Sequence, residues 1–182
     1  ILNINNAGNT SISANIKGNG NINKSDIGMV TLSGNDNSLF TGDLMVNDGK
    51  VRFVKTADNE FFDETADIIV GNSTNSAIFE YITNELSPIT FDSNFSEVTL
   101  NNGSTVSISG NTENHISLFD GWLTSDSSST NNLIFNDAYY DLNTVFAKTG
   151  SVDNINFNNS FVTLGNGIAH SASTIPNANN YN

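Results

Sequence analysis

The 182-residue chain is long enough for one domain with a substantial core, and its size does not call for two. It is 37% hydrophobic but only 14% charged, where an average soluble domain carries about a quarter charged residues. Six Lys plus Arg against 19 Asp plus Glu give a formal net charge of −13. With Arg52 as the single arginine, neither the clustered basic residues of a nucleic-acid partner nor a polybasic membrane patch is available.

Polar bulk comes instead from Asn, Ser and Thr. The apolar residues are Ile, Val, Leu and Phe in short alternating runs, the signature of strands rather than of a swollen coil. Cys is absent, which points to the cytosol or to a bacterial exterior rather than to a disulfide-stapled secreted domain. The chain starts at Ile1, lacks a charged segment followed by an apolar one, and has no apolar run of membrane-spanning length. It is therefore expected to be a fragment of a larger protein.

In chain order, strands are expected at Leu2–Asn5, Ser11–Ile16, Met29–Ser33, Leu44–Asn47, Lys50–Lys55 and Asp67–Val70. They continue at Ala77–Ile82, Pro88–Phe91, Glu97–Leu100, Thr105–Ser109, His115–Phe119, Leu133–Phe135, Thr144–Ala147, Ile155–Phe157 and Phe161–Leu164. Asn- and Gly-rich breaks separate them, among them Gly18-Asn19-Gly20, Asn47-Asp48-Gly49, Asn101-Asn102-Gly103 and Gly165-Asn166-Gly167; both residue types tolerate the left-handed backbone of tight corners. Helical periodicity is confined to Ala57–Ala66, with Asp58 as a candidate N-cap, and reads as a loop excursion. Without helices, an α/β fold is excluded.

Asp48-Gly49 has the composition of a hairpin turn between Leu44–Asn47 and Lys50–Lys55, which keeps an antiparallel sandwich open. The strands are, however, shorter and more numerous than a sandwich needs. Equivalent strands recur at roughly twenty-residue offsets, from Val30 to Val51 to about Ile69 and from Leu133 to Ile155. The expectation is an all-β, right-handed parallel β-helix (solenoid) with Asn- and Gly-rich corners, forming one fragment over 1–182. Asn side chains at equivalent corners should hydrogen-bond up the stack, and the cut ends should expose unpaired strand edges.

Over Gly28–Val54 the residues Gly28, Thr31, Leu32, Ser33, Gly34, Asn35, Phe40, Thr41, Gly42, Val46, Asn47, Gly49 and Val51 fall in an ordered set. Upstream, Ile16-Lys17-Gly18-Asn19-Gly20-Asn21-Ile22-Asn23-Lys24 places a Gly-x-Gly between two apolar positions ahead of a Lys. Together, 16–54 resembles the passenger-associated repeat of autotransporters, the type V secretion family of Gram-negative bacteria. Beyond Lys55 only the general style continues. The resemblance implies a passenger carried through the outer membrane by a C-terminal β-barrel translocator in the parent chain. Family passengers include adhesins, cytotoxins and proteases, and the repeat itself transfers no catalytic residue.

A Ser–His–Asp triad would have to use His115 or His170, and no Gly-x-Ser-x-Gly elbow accompanies either. A glycan hydrolase needs a carboxylate pair at fixed separation. Asp36, Asp43, Asp48, Asp92, Asp120, Asp126, Asp137, Asp141 and Asp153 are instead spread singly at corners, as solvated carboxylates would be. Two lone histidines without Cys exclude a zinc site built on side-chain spacing. Asp58-Asn59-Glu60-Phe61-Phe62-Asp63-Glu64 is rich in oxygen ligands but lacks the spacing and Gly of a calcium loop. Trp122 and Tyr139-Tyr140 near loops are candidate recognition aromatics, with core filling the stronger reading. The sequons at Asn72-Ser73-Thr74 and Asn102-Gly103-Ser104 are what chance supplies in so Asn- and Ser-rich a chain.

The expectation is thus a non-enzymatic structural and adhesive segment at the cell surface or outside it, with no cofactor, no metal and no catalytic residue. Its expected partner is a host or bacterial cell-surface protein or glycan, and this segment itself does not insert into membranes. The alternatives are a polysaccharide-binding or -degrading β-helix and a segment of a secreted toxin passenger.

Overall fold

The structure, a computed structural model, describes residues 1–33, 40–55, 66–83, 89–90, 97–110, 115–117, 123–125, 131–142 and 154–164. The chain winds through successive coils. The first three carry β1 (Leu2–Asn5) and β2 (Thr10–Ile12), β3 (Ile22–Ser25) and β4 (Met29–Leu32), then β5 (Leu44–Val46) and β6 (Gly49–Lys55). The next two carry β7 (Asp67–Val70), β8 (Ala77–Thr83) and β9 (Ile89–Thr90), then β10 (Glu97–Leu100), β11 (Thr105–Ser109) and β12 (His115–Ser117). They are followed by β13 (Leu123–Ser125), β14 (Asn132–Asn136) and β15 (Tyr139–Leu142), and by β16 (Asn154–Asn158) and β17 (Phe161–Leu164).

Every strand pairs in parallel with its equivalent one coil away, giving three faces. The first is six-stranded (β1-β3-β5-β7-β10-β13), the second seven-stranded (β2-β4-β6-β8-β11-β14-β16) and the third four-stranded (β9-β12-β15-β17). The architecture is a parallel β-helix, all-β among the described residues.

Alternating side chains create this arrangement. In β3, β4, β7, β8 and β10 every second residue is buried, so one set of side chains fills the interior and the other faces out. Parallel register then stacks like on like. Val30, Val51, Phe79, Val106 and Leu133 form one interior column and Leu32, Phe53, Tyr81, Ile108 and Phe135 the next, all essentially inaccessible. Phe53 and Tyr81 meet with ring centroids 5.6 Å apart, and Phe135 stacks on Phe157 at 5.2 Å with planes 9° apart. Each buried aliphatic or aromatic side chain contributes about 1.5–3 kcal/mol.

Corners demand small residues where coils touch. A Cβ on Gly28 would meet Asn6 O at 2.5 Å and Gly8 O closer still; one on Gly49, whose φ is +67°, would meet Gly28 O at 2.5 Å. Glycines at 28 and 49 thus let three successive coils approach at one corner, while Gly8, at the open end of the stack, has space for a Cβ.

The pairing sets aside one open alternative and corrects one expectation. Asp48-Gly49 is a solenoid corner and not a hairpin: β5 pairs with β3 and β7, while β6 pairs with β4 and β8. Val51 does pair with Val30, and Leu133 with Ile155, but the strand above Val51 presents Phe79 rather than Ile69. Ile69 lies on the six-stranded face between Met45 and Thr99. The cause is a changing coil length: 20 residues separate Leu2 from Ile22, whereas 30 separate Ile68 from Val98. A fixed period drifts onto the wrong face. The expected strand Thr144–Ala147 and the helix candidate over 57–65 lie outside the described residues, while Ala66 is fully buried ahead of β7.

β1 and β2 each pair on one side only among the described strands. Ile1 is 83% and Leu2 42% exposed, whereas Ile22, one coil further, is fully buried.

Candidate functional site

The outer side of the seven-stranded face is the broadest regular surface among the described residues. Its outward positions follow from the interior columns between them. Met29, Lys50, Ile78, Thr105, Asn132 and Asn154 form one outward row; Thr31, Arg52, Glu80, Ser107, Ile134 and Asn156 form the second.

Charge is confined to the middle of this surface. Glu80 accepts from Lys50 Nζ at 3.4 Å and is also in direct contact with Arg52 Nε. Arg52 is the register partner of Glu80 one coil before it, and Lys50 lies two residues earlier on the same strand, so three charges leave a single net positive. Nothing about the set is catalytic: one carboxylate held by two cations is a structural pairing, and each cation is roughly a third exposed (28% and 34%), which makes it weak.

Beyond Glu80 the surface becomes amide and hydroxyl. Asn154 Nδ2 donates to Asn132 Oδ1 at 2.9 Å, and Asn132 Nδ2 donates to Thr105 Oγ1 at 3.5 Å. In parallel, Asn158 Nδ2 donates to Asn136 Oδ1 at 2.9 Å, and Asn136 Nδ2 lies 3.1 Å from both Ser107 Oγ and Ser109 Oγ. Amides are satisfied coil to coil without charge. A shorter version occurs on the first face, where Asn23 Nδ2 donates to Asn3 Oδ1 at 3.2 Å.

Two corners hold buried polar groups. Lys24 is fully buried near the end of β3, in the column that also carries Ile4, Val46, Val70, Leu100 and Ser125. Its Nζ donates to Ser25 O at 2.9 Å, to Asp26 O, and to Asp48 O in the next coil at 3.2 Å. Burial holds the ammonium below the ordinary lysine range, while the Asp48 and Asp26 carboxylates pull the other way.

Tyr140 is 1% exposed, at the corner between the second and third faces. Its hydroxyl faces Asn136 O at 2.8 Å and Ile108 O, one coil below, at 3.0 Å, and accepts from Asn136 N at 3.2 Å. Burial pushes this phenol well above its usual 10.0; the hydrogen bond with Asn136 works against that, and the Asp137 charge adds to it.

The singled-out residues do not converge. Asp43 heads β5 on the outside, where its Oδ1 faces Asp67 N at 3.4 Å. Asp48 caps its own corner through Gly49 N at 2.7 Å, and Asp137 sits at a corner with φ +56°. His115 and Asp141 belong to the third face, in the paired strands β12 and β15. Asp36, Asp92, Asp120, Asp126, Asp153, His170, Trp122 and the 58–64 stretch lie outside the described residues. Tyr140 is a core residue, as core filling implied; Tyr139 is in β15. Asn72 uses its side chain within its corner, Oδ1 accepting from Thr74 N and Asn75 N at 2.9 Å and Nδ2 donating to Asn47 O at 3.0 Å. Among the described residues, no group of three His, Cys, Asp or Glu could hold a metal ion, and no helix is long and apolar enough to cross a membrane. Lys24 went unnoticed as an interior residue: a Lys in a short polar stretch carries no signal of burial.

No family model, curated protein or solved structure matches the chain.

Proposed function

We propose that this chain is a rigid stalk segment of a secreted or surface-displayed bacterial protein of the autotransporter type, with an adhesive outer face rather than a catalytic centre. The observation that carries the reading is the uniform parallel stacking itself. Seven strands in register on one face give a spacer of roughly 30 Å, at about 4.8 Å per coil, that lengthens by adding coils. The autotransporter-like motif supports it as well: its Leu32, Phe40, Val46 and Val51 are interior residues, and Gly42 and Gly49 are close-packed corners.

A stalk outside the cell meets other surfaces by its sides. Beyond Glu80 the outward side chains of the seven-stranded face, five of six of them Asn, Ser or Thr, suit hydrogen bonding to a cell-surface protein or a neutral glycan. A fold built without Cys suits a passenger carried through the outer membrane. The test is the complete coding sequence of the parent protein. The reading requires an export signal before this segment and, at the C-terminus, about ten-residue alternating strands of an outer-membrane barrel. A parent with neither would refute it and bring forward a glycan-active β-helix exported by another route.

A further inference from the structure

We propose that Lys24 is a register pin: a buried ammonium that is satisfied only when the coil carrying β3 and β4 is aligned with the coil carrying β5 and β6. The interior columns of this face are chemically degenerate. From β1 to β10 the register puts Leu2, Ile22, Leu44, Ile68 and Val98 in one, and Ile4, Val46, Val70 and Leu100 in the other around Lys24, with Leu123 and Ser125 following at β13. Any of these aliphatic side chains can stack on any other. A slide of β3 by two residues keeps the same side chains inside, because the strand period is two, so apolar packing discriminates poorly against it.

Lys24 breaks that degeneracy. Its Nζ draws two acceptors, Ser25 O and Asp26 O, from its own corner, and the third, Asp48 O, from the coil above. A two-residue slide moves the ammonium about 6.6 Å along the strand, away from Asp48 O and against aliphatic side chains. A buried charge left short of a partner is costly, so the slid register is penalised where an aliphatic residue would have tolerated it. Specificity and stability separate at this position. A well-packed apolar residue at 24 should fold at least as stably while choosing its register less well.

Disulfide trapping in the full chain reads this out. Asn23 and Met45 are outward register partners, so Asn23→Cys with Met45→Cys reports the native alignment. Asn23→Cys with Asp43→Cys reports the slide, because these Cα atoms lie about 8 Å apart in the native register, beyond disulfide reach. With Lys24 present, only the first pair should close. With Lys24→Val, the residue this column carries at 46 and 70, the second pair should close at least several-fold more, at an unchanged or higher thermal midpoint. Lys24→Met, matched in length, should behave likewise. The proposal is overturned if both variants close only the native pair. It is equally overturned if both lose thermal stability or fail to fold, since Lys24 would then be a stabilising group and not a pin.

Discussion

Replacing Tyr140 by Phe keeps the ring against Phe135, with centroids 4.7 Å apart, and deletes only the hydroxyl. That hydroxyl ties Asn136 to Ile108 of the coil below, and its loss removes the acceptor of Asn136 N–H, while Asn136 O keeps Gly110 N–H and Ile108 O keeps Asn136 Nδ2. The expected cost at neutral pH is about 1–3 kcal/mol, the range for a buried hydrogen-bonding group left unsatisfied. For a chain of this size each kcal/mol lowers the thermal midpoint by roughly 2–4 °C. The pH dependence is the sharper test. The phenol's folded pKa lies above its usual 10.0, so above pH 10 the unfolded chain releases this proton first. Stability is then fully present below 10 and falls as pH rises towards the folded value, by about 1.4 kcal/mol per pH unit from this residue. Denaturant melts of wild type and Tyr140→Phe between pH 8 and about 11 should therefore converge, with the wild type losing its advantage. A constant gap across that range would refute the burial and hydrogen bonding assigned to this hydroxyl.

Gly28→Ala should destabilise by at least about 2 kcal/mol, because its methyl meets Asn6 O and Gly8 O, while Gly8→Ala, with open space around it, should stay within about 0.5 kcal/mol in the same melts. Phe53→Ala removes a fully buried ring from the centre of a column and should cost about 3–5 kcal/mol by chemical denaturation. Glu80→Gln should change stability by less than about 1 kcal/mol, the difference shrinking in high salt, since both its cations are partly exposed. Lys24 bears on alkaline pH with the opposite sign to Tyr140. Its folded pKa is depressed, so the unfolded chain holds the proton longer and stability rises between the depressed value and 10.5, a rise that Lys24→Met should abolish in pH-dependent melts.

Much of the fold was legible because parallel stacking writes a strict alternation into short strands. Leu2–Asn5, Glu97–Leu100 and Thr105–Ser109 stand where apolar residues alternate with polar ones, and Asp67–Val70 and Phe161–Leu164 where short β-branched or aromatic runs occur. Ile22–Ser25 escaped because its second inward residue is Lys24, which hides the alternation. Tyr139–Leu142 and Leu123–Ser125 escaped for another reason: two adjacent tyrosines and a Leu-Thr-Ser run show no alternation to read. The exact coil-to-coil pairing was legible only where coil length stays near that of Val30 to Val51. Longer coils defeat any constant offset, as Val51 and Phe79 illustrate. The amide ladders were foreseeable from Asn abundance, but their location was not. Asn132 and Asn154 share a row only once the register is known.

Labelling of intact cells that produce the full-length parent protein tests the central claim most directly. Cysteines introduced singly at Ile78 and Thr105, on the outer side of the seven-stranded face, would be reacted with a membrane-impermeant maleimide. The account predicts labelling of both on unbroken cells, with a buried control at Val106 reacting only after denaturation. Labelling of Ile78 and Thr105 only after lysis would place the segment inside the cell and contradict a surface stalk.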